Sequence, residues 1–159
     1  MNKGHLVRQI IARLSESLGV LEKAARASHA EATHESSKAE NKYDTRGLEA
    51  AYLARGQSRQ AKEILDSIKV YEALCLKDFA PDEPIDVTAL VELELDGTRS
   101  LFFVGPANGG LEIDFGGEEV TVITPQSPLG EQLIGKKVRK RWTAKVGGAA
   151  RKYEIISVR

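Results

Sequence analysis

The chain has 159 residues, 42% of them hydrophobic and 29% charged, which suits an ordinary soluble protein of one or two small domains. Lysine plus arginine equal aspartate plus glutamate at 23 each, so overall charge selects no polyanionic partner, yet Lys136 to Lys152 carries many bases and no acid while Asp78 to Glu119 is mostly acidic. No apolar run approaches the roughly 20 residues of a membrane-spanning helix, and MNKGHLVRQIIARL lacks the continuous apolar segment of a secretory signal, which argues for a cytoplasmic protein with no membrane partner.

Up to about Lys77, apolar residues recur at spacings of three and four. Leu6, Ile10, Leu14, Leu18 and Leu21 mark a first helix, and Leu48, Tyr52, Leu65, Ile68 and Cys75 a second. No proline occurs before Pro81. Two such stripes with a short connection predict an antiparallel helical hairpin, a coiled coil over residues 1–77. Its stripe is large at the base, Ile10, Leu14 and Leu18 against Ile64, Leu65 and Ile68. Farther out it is alanine-rich, Ala24, Ala25, Ala27, Ala30 and Ala32 against Ala50, Ala51, Ala54 and Ala61, so the distal arm should be slim. A first helix from Lys3 to His34 would extend about 45 to 50 Å at 1.5 Å per residue, longer than a compact domain of this size needs. The arm therefore docks, dimerises or enters something. Thr33–Gly47, THESSKAENKYDTRG, interrupts the pattern and concentrates carboxylates where the helices turn back. Cys75, the only cysteine, excludes an internal disulfide, and its neighbours Leu74 and Leu76 predict a packed core thiol.

From residue 78 the period changes to two. Val87–Leu95 alternates as a half-buried strand, Asp96-Gly97 marks a tight turn, and Arg99–Val104 returns as its partner. Further strands are expected at Leu111–Asp114, Glu119–Thr124, Val138–Val146 and Ala150–Val158. Ser127-Pro128 opens a short helix, with Ser127 as N-cap and Pro128 at the first helical position, and Gly135 closes it. The expected fold is therefore α+β: the hairpin, then at 78–159 a small antiparallel sheet with one helix. Phe102, Phe103, Phe115, Trp142 and Tyr153 should fill its core, because a domain this small needs its aromatics inside.

The segment Val122-Ile123-Thr124-Pro125-Gln126-Ser127-Pro128-Leu129-Gly130-Glu131-Gln132-Leu133-Ile134-Gly135-Lys136-Lys137-Val138, with Tyr153-Glu154-Ile155-Ile156-Ser157-Val158 after it, resembles the C-terminal domain of the Gre family of bacterial transcript-cleavage and elongation factors. The Ser-Pro…Leu-x-Gly-Lys-Lys block is the specific part. That family places an FKBP-like domain behind a helical hairpin, and its tip carries a Glu-Asn motif that Glu40-Asn41 resembles. The resemblance implies a factor that binds bacterial RNA polymerase and enters its secondary channel. There the tip acids, beside the polymerase's magnesium, stimulate cleavage of nascent RNA in backtracked complexes. The chain would then be no enzyme by itself and would hold no cofactor stably, sharing Mg²⁺ with the polymerase. Nascent RNA would be contacted only indirectly, and the chain would act as a monomer.

The tip departs from the family pattern. Matching Glu-Asn to Glu40-Asn41 puts Ser37 where the first acid belongs, and the tyrosine arrives one residue early as Tyr43, after Lys42. Glu35 and Asp44 are the nearest substitute acids. Glu35, Glu40 and Asp44 are therefore the candidate catalytic acids, Glu40 and Glu35 the candidate metal ligands, and Ser37, Asn41 and Tyr43 structural residues of the tip. Two of the acids also have a plainer reading. Ser37-Lys38-Ala39-Glu40 has capping-box spacing, and Asp44 can pair with Lys38 or Lys42, whereas Glu35 has no evident structural duty. His29 and His34 form no metal-ligand constellation and read as solvated.

Lys136, Lys137, Arg139, Lys140 and Arg141 form the candidate polymerase-binding run. Its alternative is an edge strand whose charges prevent edge-to-edge pairing. Three other functions stay open: a non-cleaving channel occupant that inhibits or regulates polymerase, an FKBP-like chaperone or prolyl isomerase with a coiled-coil handle, and an arm that only dimerises.

Overall fold

The computed structural model describes residues 2–34, 46–80, 82–146 and 149–159. Two long helices, α1 (Lys3–Thr33) and α2 (Arg46–Glu72), precede strands β1 (Leu90–Leu95), β2 (Thr98–Val104), β3 (Glu112–Asp114) and β4 (Glu119–Ile123). Helix α3 (Pro128–Leu133) and strands β5 (Arg141–Val146) and β6 (Ala149–Val158) complete the chain. It forms two compact units, one of Ile11–Glu72 and one of the residues up to Ile10 with Ala73–Arg159. These differ from a division at Lys77, because the first turns of α1 belong with the sheet. Lys3 donates through Nζ to the Lys77 carbonyl, lies 5.1 Å from the Phe79 ring centre, and sits 3.9 Å from Asp78. Burial of that ammonium lowers its pKa, and Asp78 acts in the opposite direction.

In the helical unit α1 and α2 pair as a hairpin along a seam of Ala54, Ala61 and Ile68, which repeat every seven residues and are buried. Ser28, also buried, donates through Oγ to Gln57 Oε1 at 3.0 Å across the seam. Ile68, Ala54 and Ala61 are as expected, while Leu48 and Tyr52 of the expected α2 stripe are corrected. Leu48 and Tyr52 are 58% and 64% exposed, since at about 100° per residue they stand roughly 120° and 160° around the helix from Ala54. Leu65, 41% exposed, lies at the seam's margin. Ser28→Ala would leave the Gln57 amide oxygen without its donor, and thermal unfolding should show a loss of about 1 kcal/mol.

The sheet unit holds one six-stranded sheet in the order β3-β4-β2-β1-β6-β5. It is mixed, which corrects the antiparallel expectation: β4 lies parallel to β2, with Leu101 opposite Val120 and Phe103 opposite Val122. Side-chain alternation specifies faces and carries no information on strand direction. Strand β1 starts at Leu90, later than Val87, because Thr88 has φ +76° and Ala89 N donates to Asp86 O, a turn that breaks alternation. The Asp96-Gly97 turn has positive φ at both positions, 49° and 88°, as a two-residue hairpin with right-handed strand twist requires. Asp96 also accepts from Lys152 N at 2.9 Å, tying that turn to β6.

One face of the sheet packs Val91, Leu93, Val104, Ile123, Tyr153 and Ile155 with Phe79, Ile85 and Leu133. Phe103, Phe115 and Tyr153 are buried, and Phe102 and Trp142 are partly buried against the core. Cys75, expected inside, is exposed; it lies beyond the end of α2, where the helical period no longer points it inward.

Candidate functional site

Helix α1 ends at Thr33 and α2 is described from Arg46, so the hairpin's connection is the stretch that contains Glu35, Ser37, Glu40, Asn41, Tyr43 and Asp44. All six lie outside the described residues. At its borders, Thr33 Oγ1 donates back to the His29 carbonyl at 3.0 Å, and His34 N donates to Glu31 O at 3.2 Å. Among the described residues no group of three or more His, Cys, Asp or Glu side chains is placed to hold a metal ion.

The basic run leads from α3 into the edge strand β5, and its residues differ in what they touch. Lys136 donates to the Gln132 carbonyl and lies 5.1 Å from the Trp142 ring centre. Trp142 in turn donates through Nε1 to Gln132 Oε1 at 2.8 Å and stacks on Tyr153 with centroids 5.1 Å apart. Arg141 Nε bonds Glu154 Oε2 at 2.7 Å, a hydrogen bond that raises the arginine pKa further. Lys137, Arg139 and Lys140 are exposed, and among the described residues no ion pair engages them. Arg139 has φ +65° and its backbone N donates to Ile155 O at 2.8 Å, so the turn that presents these three cations is pinned to β6. The run thus divides into Lys136 and Arg141, held within the domain, and three cations free to meet a partner.

The Ser-Pro…Gly-Lys-Lys block has a structural explanation residue by residue. Ser127 caps α3, accepting from Gly130 N at 3.1 Å while its hydroxyl donates to Thr124 O at 2.8 Å. Pro128 fills the first helical turn, where a missing N–H costs nothing. Gly135 has φ +78°, and its N donates to Ile85 O at 2.9 Å while Ile85 N donates to Lys136 O at 2.8 Å.

Two of the hollows bear on the site, the first of them including Arg141 of the basic run in its lining. One of about 480 Å³ is lined by Glu94, Asp96, Trp142, Tyr153 and Glu154 among others; its carboxylates pair with Arg99, Arg151 and Arg141, so it presents no net charge of one sign. The other, about 430 Å³, lies between α1 and α2 and is lined by Ala25, Arg26, His29, Ala51, Ala54, Arg55 and Ser58. Sequence reading passed over it, although Arg26 and Arg55 stand fourteen and fifteen residues to either side of Glu40, which in a hairpin brings them together.

No family model matches the chain. No curated protein matches it either. Solved structures that match include the GreA factor homolog 1 (Gfh1) protein of Thermus thermophilus, 22% identical with 94% of each chain covered and a TM-score of 0.39. Gfh1 of Thermus aquaticus is 21% identical over 92% of each chain, with a TM-score of 0.40. The prokaryotic transcription elongation factor GreA/GreB of Nitrosomonas europaea is 18% identical over 60% of this chain and 78% of that one, with a TM-score of 0.36. Scores this low assign no family.

Proposed function

We propose that this protein is an accessory factor of bacterial RNA polymerase that inserts the connection of its helical hairpin into the secondary channel and stimulates the polymerase's own cleavage of nascent RNA. The observation that carries the reading is the pairing of α1 with α2 along a seam of Ala54, Ala61 and Ile68, two helices that the acid-bearing stretch connects in sequence. The Gre-like sequence block and the FKBP-like domain it implies add support. Carboxylate oxygens suit a hard cation such as Mg²⁺, and the metal would be held jointly with the polymerase. Glu40 and Glu35 would supply oxygens to it, with Asp44 beside them. Ser37, Asn41 and Tyr43 would shape the tip, and the chain's contribution would be to place and orient these groups in another protein's active site.

For docking, the division of the basic run sharpens the expectation. Neutralising Lys137, Arg139 and Lys140 to glutamine should weaken polymerase binding by about tenfold and flatten its salt dependence, whereas Lys136 and Arg141 variants should act through domain stability. Titration at several salt concentrations checks this; unchanged affinity and slope would leave the run an edge that prevents strand pairing. A cytoplasmic monomer is the state proposed, and a mass that doubles with concentration would favour the dimerising arm. The prolyl isomerase reading predicts catalysed isomerisation of an X-Pro peptide, which the accessory factor should not show.

A further inference from the structure

We propose that the groove between α1 and α2 is a binding site for a small polyphosphate anion, held by Arg26, His29, Arg55 and Ser58. All four line one hollow of about 430 Å³, a size that suits a small ligand. Two helices contribute, with Arg26 and His29 from α1 and Arg55 and Ser58 from α2. Among the described residues no carboxylate lines the hollow.

Some exposed cations of the same helices have local partners, whereas Arg8, Lys23 and Lys62 have no ion pair among the described residues. Arg13 pairs with Glu16, Arg59 with Glu63 and Lys69 with Asp66, each within one turn. Arg26 and Arg55 have no ion pair among the described residues. What sets Arg26 and Arg55 apart is their place: they line one concavity from opposite helices, with Glu22 one turn before Arg26 as the nearest acid of its own helix face. Guanidinium forks, an imidazole N–H and a hydroxyl are donors matched to phosphate oxygens.

The wall chemistry favours a compact phosphate over a nucleic-acid strand. Its apolar members are Ala25, Ala51 and Ala54, and single-stranded binding draws on aromatic side chains against which bases stack. An adjoining hollow shares Ala25, Arg26 and Ser58 and is lined by Glu22 and Lys62 as well; that carboxylate limits how far a polyanion extends. The site belongs to the helical unit alone and does not rest on the polymerase reading.

The test is calorimetric titration of the full chain with inorganic pyrophosphate at fixed ionic strength. The expected result is one site per chain, weakened about tenfold or more in Arg26→Gln/Arg55→Gln and unchanged in Arg59→Gln/Lys69→Gln. Amide shifts in the wild-type protein should concentrate at residues 25–29 and 51–58, a readout that needs no variant to fold. No pyrophosphate binding at millimolar concentration, or equal loss in both double variants, would overturn the proposal. So would shifts confined to other residues, or binding of a single-stranded oligonucleotide without binding of pyrophosphate.

Discussion

Gly130→Ala is expected to destabilise the sheet unit by at least about 3 kcal/mol, the upper end of the usual overpacking cost. A Cβ at Gly130 would stand 1.9 Å from the Thr124 carbonyl oxygen, 2.8 Å from its carbon and 2.9 Å from Ser127 Oγ. None of these is a flexible side-chain end. The Thr124 oxygen accepts from both the backbone N and the hydroxyl of Ser127, so moving it breaks the turn that starts α3 and withdraws Leu133 from the core. Gly135→Ala provides the contrast. That glycine has open space around it but φ +78°, so the cost is backbone strain of about 1 to 2 kcal/mol. Urea unfolding of the two variants checks the order; a Gly130→Ala loss no greater than that of Gly135→Ala would refute the close-approach argument.

Glu40→Gln is expected to lower stimulated RNA cleavage by about a hundredfold while leaving polymerase affinity and thermal stability nearly unchanged. An amide still accepts the capping hydrogen bond that a Ser37-x-x-Glu40 box would need, but it is a poor ligand for a hard cation, and even supporting groups of metal sites are worth about 10- to 100-fold. Glu35→Gln should reduce cleavage too if Glu35 replaces the acid missing at Ser37. Ser37→Asp, which keeps a good N-cap, should raise it. If Glu40→Gln lost stability and activity together, the residue would be a cap and no more.

The sheet unit was legible where local rules act alone. Ser127, Pro128 and Gly135 announce α3 and its end, and Asp96-Gly97 announces its hairpin, because caps and positive-φ turns are set by a few adjacent residues. The parallel pairing of β4 with β2 depends on how the chain between Gly105 and Leu111 crosses, where Gly105 N donates to Ile123 O and Gly110 N to Val122 O; such contacts leave no period in the sequence. In the hairpin, Ala54, Ala61 and Ile68 lie in the seam as their spacing suggested, whereas Leu48 and Tyr52 do not. Leu48 and Tyr52 have the right residue type at the wrong angle. Of the candidate site, the basic run was readable as a run, but the difference between Arg141, tied to Glu154, and the exposed Lys137, Arg139 and Lys140 arises from strand register alone. Ser127, Pro128 and Gly135 of the Ser-Pro block serve the fold, which leaves the proposed chemistry to the hairpin connection.

The central claim is tested most directly by nascent-RNA cleavage in stalled, backtracked bacterial RNA polymerase complexes, with and without this protein, across a range of Mg²⁺ concentrations. The account predicts faster release of short 3′ RNA fragments when the protein is present, and extension resuming from the shortened transcript. Binding to polymerase with no added cleavage at any Mg²⁺ concentration would contradict it and make the protein an occupant of the channel.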